Sequence, residues 1–169
     1  MQMEQFDFGR MLLVGLVLDI RGRHRCDGQP LMLQLKRRII NIVDEMKEDI
    51  RIFVSCAECD RVPLTPAQSM AHISRCKPDL AVELSIQKAC RVVAECLEDC
   101  RKVVLVVSDL CDGSLSACLE VAAEFRDEGI HDYRIALVGW GDGDLPSVQG
   151  VEALRAKTIE EFTETLRRL

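Results

Sequence analysis

Aromatic side chains are scarce: they make up 4% of the 169 residues, with a single Trp and a single Tyr. A core of stacked rings is therefore excluded, and the 48% hydrophobic content has to pack as Leu, Val, Ile and Ala. Five prolines and ten glycines leave no linker, repeat or low-complexity tract. One domain is expected, within the usual range of roughly 100–200 residues. Long apolar runs are also missing. The longest, Met11–Leu18, falls far below the ~20 residues that cross a bilayer, so no membrane association is expected. Positive charge is in deficit, at −6 net, which argues against a domain devoted to nucleic acid. The first ten residues carry Glu4 and Asp7 and lack a basic start or cleavage site, so no secretory leader is expected.

Cysteine, in contrast, is abundant, with nine residues. A secreted disulfide scaffold would be short and loop-rich, whereas Cys90, Cys96, Cys100 and Cys118 fall in segments of helical period. The expectation is a reduced, cytoplasmic protein whose cysteines are mostly small buried hydrophobes. Cys56-Ala57-Glu58-Cys59 has the spacing of half a zinc site or a dithiol pair, with Cys76 or His72 able to approach on a following helix. Without a second C-x-x-C, and with Cys56 behind a strand, plain surface cysteines are the simpler reading. The three histidines are scattered and show no partner at ligand spacing.

Three apolar runs, Met11–Leu18, Val103–Val107 and Ile135–Val138, read as fully buried strands, and Ile50–Val54 as a fourth. Helical period joins them. One face of Leu31–Met46 is Met32, Leu35, Ile39, Val43 and Met46. In Leu84–Cys100 it is Ile86, Ala89, Cys90, Val93, Leu97 and Cys100. In Ser114–Glu128 it is Leu115, Cys118, Leu119, Ala122 and Phe125, with Gly129 at a C′ position. Thr65-Pro66-Ala67-Gln68 and Thr158-Ile159-Glu160-Glu161 carry N-capping chemistry, the second opening a stripe of Ile159, Phe162, Leu166 and Leu169. Ala153–Lys157 suits a last edge strand, and Arg61-Val62-Pro63 a short antiparallel one. The fold class is therefore α/β: a doubly wound, mainly parallel open sheet with one short antiparallel edge strand and helices on both faces. Residues 1–9 form an extension and 10–169 one domain.

In such sheets ligands bind beyond the carboxyl ends of the strands. Asp19 and Asp109 both follow buried strands, and neighbouring strands would bring them together. Helix capping is the alternative use for either aspartate. The glycine-rich Gly139-Trp140-Gly141-Asp142-Gly143 matches no nucleotide fingerprint and suits a tight turn. Trp140 is either a binding hot spot on that face or a ring tucked against a neighbouring helix.

Taken in order, the strand ending in Asp19, "RVPLTPAQSMAHI", "LSIQKAC", "VVLVVSD" and "GIHDYRIALVGWGDGD" resemble the von Willebrand factor A-type domain across about residues 10–169. The resemblance implies a metal-ion-dependent adhesion site built from Asp-x-Ser-x-Ser, a threonine and an aspartate. A hard cation, Mg²⁺ or Mn²⁺, would be held there by oxygens. This chain departs from that pattern. Asp19 and Asp109 are retained as possible residual metal ligands, but Arg21 and Arg23 replace both serines. Leu84 stands at the threonine position, with Ser85 next to it. The site is expected to be degenerate and no resident cofactor is expected. Arg21 or Arg23 either folds onto the aspartates in the cation's place or points to solvent. Arg21, Arg23, His24 and Arg25 could instead form a small basic patch for an acidic partner or a phosphate.

By resemblance the function is a non-catalytic protein–protein interaction module, an adaptor. Its binding face would carry Asp19, Arg21, Arg23, Leu84, Ser85, Asp109, Trp140 and Asp142. Its partner would be another protein, such as an AAA+ ATPase or other enzyme. The alternative is a Mg²⁺-dependent phosphotransferase or hydrolase using Asp19 and Asp109, disfavoured by Arg21 where a second acid would stand. A third reading is a scaffold subunit that oligomerises through an edge strand.

Overall fold

The computed structural model describes residues 11–58, 62–63, 65–77, 79–96 and 98–169. The expected extension, residues 1–9, lies outside them. The chain runs β1 (Leu12–Asp19), β2 (Arg25–Cys26), β3 (Gln29–Pro30), α1 (Leu31–Met46), β4 (Ile50–Val54), α2 (Pro66–Arg75) and α3 (Val82–Glu95). It continues through β5 (Arg101–Ser108), α4 (Leu115–Glu128), β6 (Arg134–Trp140), β7 (Glu152–Ala156) and α5 (Ile159–Arg167). Five strands form one sheet in the order β4-β1-β5-β6-β7, and every pairing in it is parallel. This is the expected α/β class.

Antiparallel pairing sits elsewhere than expected, in a separate small ribbon of β2 and β3. Of the segment expected to return along the sheet edge, Arg61 lies outside the described residues, and Val62 and Pro63 carry no strand. The last edge strand does form, as β7 beside β6.

The continuous apolar runs are explained by burial on both faces. Side chains alternate along a strand, so Leu12, Val14, Leu16 and Leu18 enter one layer with Val103, Leu105 and Val107. Val17, Val104 and Val106 enter the other. Helices α1 and α5, with Ile73 and Cys76 from the end of α2, cover the first face. Helices α3 and α4 cover the second. Helix α3 lies hard on β1: a Cβ on Gly15 would stand 2.9 Å from Val93 Cγ2.

Both expected caps are present. Thr65 closes a reciprocal capping box with Gln68 behind Pro66, and the Thr158 side chain accepts the Glu161 N–H. Four local expectations need correction. Helix α3 stops at Glu95, leaving Cys96 as its cap and Cys100 beyond it, while Leu97 lies outside the described residues. Phe125 is 44% exposed, because α4 buries Ala123 in its place. Gly129 keeps right-handed helical geometry, and the left-handed turn falls on Ile130, with φ 53°. Cysteine burial is uneven: Cys56, Cys76, Cys90 and Cys118 are buried, whereas Cys111 is exposed.

Candidate functional site

Strand β1 ends at Asp19 and β5 at Ser108, and the sheet register pairs these two residues. Asp109 therefore sits one residue beyond, its N–H donating to the Asp19 carbonyl at 3.1 Å. From β1 the chain first goes to β4 on one side and later to β5 on the other. The order of strands thus reverses between β1 and β5, where such sheets form a ligand crevice.

Asp19 has no solvent exposure. Its Oδ1 accepts from Arg21 Nε at 2.7 Å and its Oδ2 from the Ser108 hydroxyl at 2.9 Å. Burial pushes its carboxyl above the ordinary value, against the pull of Arg21 and Ser108. The Arg21 guanidinium also donates to the Leu80 carbonyl at 3.0 Å, tying the segment before α3 to the end of β1.

Asp109 is held differently. Its Oδ2 accepts from the Arg21 and Gly22 N–H groups, each at 2.8 Å, and lies 3.0 Å from His24 Nε2. Its Oδ1 accepts from the Cys111 N–H at 3.1 Å. Burial opposes the charge, but the backbone donors Gly22, Cys111 and Arg21 outweigh it and hold this carboxyl below its ordinary range. Three partners thus converge on Oδ2 and one on Oδ1. Ser108 completes the frame by accepting the Leu110 N–H at 2.9 Å. Leu110 takes φ 63°, a left-handed conformation that is costly for a branched side chain.

Of the expected face residues, Asp19, Arg21 and Asp109 come together. Arg23 is exposed and has no ion pair or hydrogen bond among the described residues. Arg25 donates to the Gly28 carbonyl at 2.6 Å within its own ribbon, so the four basic residues do not act as one patch. Leu84 is 52% exposed in the first turn of α3, whereas Ser85 is buried and its carbonyl accepts the Ser55 hydroxyl at 2.7 Å. Trp140 is the last residue of β6 and packs partly buried against the first core layer. Asp142 is exposed and pairs with Lys157 at 3.0 Å. The glycine of that loop with turn geometry is Gly141, at φ 93°. Gly139 instead leaves space for Leu110 and Leu145, whose side chains a Cβ there would strike.

A hard cation does not fit this arrangement. Three partners crowd Asp109 Oδ2, both aspartate side chains are sealed from solvent, and a guanidinium already supplies the positive charge. One ligand atom each from His24, Asp109 and Cys111 lies within 4.8 Å of the others. The Cys111 thiol, however, is pushed up by its hydrogen bond to Asp109, the opposite of what a nucleophilic cysteine needs. Sequence reasoning missed the roles of Ser108, Gly22 and Leu80. The available signal was the hydroxyl beside Asp109; backbone donors leave none.

No protein-family model matches the chain, and no curated protein matches it. Among solved structures it is similar to one described as the D319A mutant of the PilB minor pilin from Streptococcus sanguinis, with a TM-score of 0.66 and 9% identity. The likeness covers 94% of this chain and 60% of that one, so the chain spans less than two thirds of the pilin chain. At that identity it shows the α/β fold alone. Among the described residues, no helix is long and apolar enough to cross a membrane.

Proposed function

We propose that the chain is a protein-interaction module of von Willebrand A type that engages a partner protein through the carboxyl ends of β1 and β5, without a bridging metal. The observation that carries this reading is the Arg21–Asp19 pair at 2.7 Å, set beside an Asp109 carboxylate that is buried and bonded to internal partners through both oxygens. A metal-dependent module needs open oxygen positions and a ligand site on the ion. Here both aspartates are sealed from solvent and Arg21 stands on Asp19, yet the face keeps two aspartates at the switch point and a strained Leu110 between them and the β6 loop. Such strain persists where a surface must hold a set shape. The exposed groups left for a partner are Arg23, Leu84 and the outer side of Arg21. Catalysis fits poorly, because the Ser108 hydroxyl is buried against Asp19 and the Cys111 thiol is held protonated.

Calorimetric titration of Mg²⁺ and Mn²⁺ tests the metal-free part. No saturable binding at millimolar metal is expected for the wild type, and a gain is expected for the Arg21→Ser/Arg23→Ser variant. Wild-type binding that disappears in Asp109→Ala would overturn the reading. The face itself is tested by cross-linking capture with the wild type and a folded Arg23→Glu/Leu84→Glu variant. The same partner held equally by both sinks the assignment.

A further inference from the structure

A second cluster of chemically capable side chains lies away from the strand-end face, at the β4 edge of the sheet. Cys56 follows β4 by two residues, His72 occupies the last turn of α2, and Cys76 caps that helix. One ligand atom from each lies within 4.8 Å of the others. The two sulfurs are 2.7 Å apart. Cys56 is 2% exposed and Cys76 6%, which corrects the reading of surface cysteine for the first of them.

We propose that Cys56, His72 and Cys76 hold a zinc ion, with its fourth position open to a further donor. In the sequence the C-x-x-C that opens at Cys56 is followed, twelve residues on, by H-x-x-x-C. Zinc sites use such spacing, with the metal ~2.3 Å from sulfur and ~2.0 Å from nitrogen. At tetrahedral angles two zinc-bound sulfurs stand ~3.8 Å apart, so Cys56 and Cys76 draw apart from 2.7 Å as the metal enters. The sequence reading had found no partner for the histidines at ligand spacing. The partner is Cys76, one helical turn beyond His72, and the fold brings Cys56 to both.

The surroundings suit thiolate ligands. Lys88 Nζ donates to the Cys56 carbonyl at 2.6 Å, and Lys36 Nζ donates to the Cys76 carbonyl. Two ammonium groups therefore stand beside the cluster, where they offset the negative charge of zinc-bound thiolates. On binding, each thiol gives its proton to solvent as its sulfur–zinc bond forms. The metal would tie the end of an edge strand to the end of α2 across the loop between them.

The full chain, purified reduced and without chelator, is expected to carry about one zinc per chain by elemental analysis. Cobalt(II) in its place should give the d–d and sulfur charge-transfer bands of tetrahedral thiolate coordination. Outer-shell changes already cost about 10–100-fold in affinity, so Cys76→Ser should lose at least that much, while Cys96→Ser keeps the metal. A ligand variant can also fail to fold, so His72→Cys provides a second reading: it retains the number of ligands and shifts the cobalt bands without abolishing them. Reduced, folded protein that takes up neither zinc nor cobalt overturns the proposal. So does metal retained by a folded Cys56→Ser/Cys76→Ser variant. A mass lower by two hydrogens that reverts on reduction assigns the sulfurs to a disulfide instead, and likewise overturns it.

Discussion

Replacing Arg21 by serine removes the positive partner of a carboxylate that solvent does not reach. The Arg21–Asp19 contact is a charge-assisted hydrogen bond of 2.7 Å, a class whose net value is about 1.5–3 kcal/mol. The arginine side chain is 36% exposed, so screening places it near the lower half of that range. Loss of the exposed bond to Leu80 adds about 0.5 kcal/mol. A destabilisation of about 2–2.5 kcal/mol at neutral pH is expected, and for a chain of this size it lowers Tm by roughly 4–10 °C. The pH dependence is the sharper test. Asp19 is raised above its ordinary 3.8. Its contribution to stability is therefore fully present below that value and is lost as pH rises through its folded pKa. Without Arg21 the carboxyl rises further, so the loss becomes larger and extends to higher pH. Urea denaturation should show a small deficit for Arg21→Ser near about pH 4 and the full deficit near about pH 8. An equal deficit at both, or an unchanged midpoint, would refute the account of Arg21 as the counter-charge of Asp19.

Asp109 has the opposite sign. Held below its ordinary range by the Gly22, Cys111 and Arg21 N–H groups against the effect of burial, it contributes stability above about pH 3.8 that is lost as pH falls through the lower folded value. Asp109→Asn is expected to cost about 2 kcal/mol at neutral pH, with acid-unfolding curves by circular dichroism that converge with the wild type below about pH 3. Curves that stay apart in strong acid contradict the backbone clamp. Gly15→Ala places a methyl group 2.9 Å from Val93 Cγ2 and 3.3 Å from Ala89 Cβ. It should cost about 1–3 kcal/mol in chemical denaturation, and a neutral result would mean that α3 does not lie directly on β1.

What the sequence determined by itself was whatever depends on local period and local chemistry. Strand β4 stands at Ile50–Val54 and α1 at Leu31–Met46 as the apolar spacing indicates, since runs buried on both faces and stripes at helical spacing are visible in a few residues. The Thr65 box is equally local, because its donors and acceptors lie within four residues of each other. The placement of Asp19 beside Asp109 was legible one step further, through the rule that neighbouring parallel strands end together. Only the tertiary structure decided where Arg21 points. Its N–H reaches Asp109 across 88 positions of chain, and the guanidinium settles on Asp19 because the Leu80 carbonyl is there to receive its other end. Packing decided that Phe125 faces out and Trp140 leans inward, since a helix stripe is wider than the surface available to it. The juxtaposition of Cys56 with His72 and Cys76 is of the same kind. Each residue alone is a small buried side chain or a helix-terminal one, and they become a possible ligand set only when α2 folds back along β4. Contacts that close long loops carry no periodic signal, because the backbone groups and side chains that make them are brought together by the sheet order.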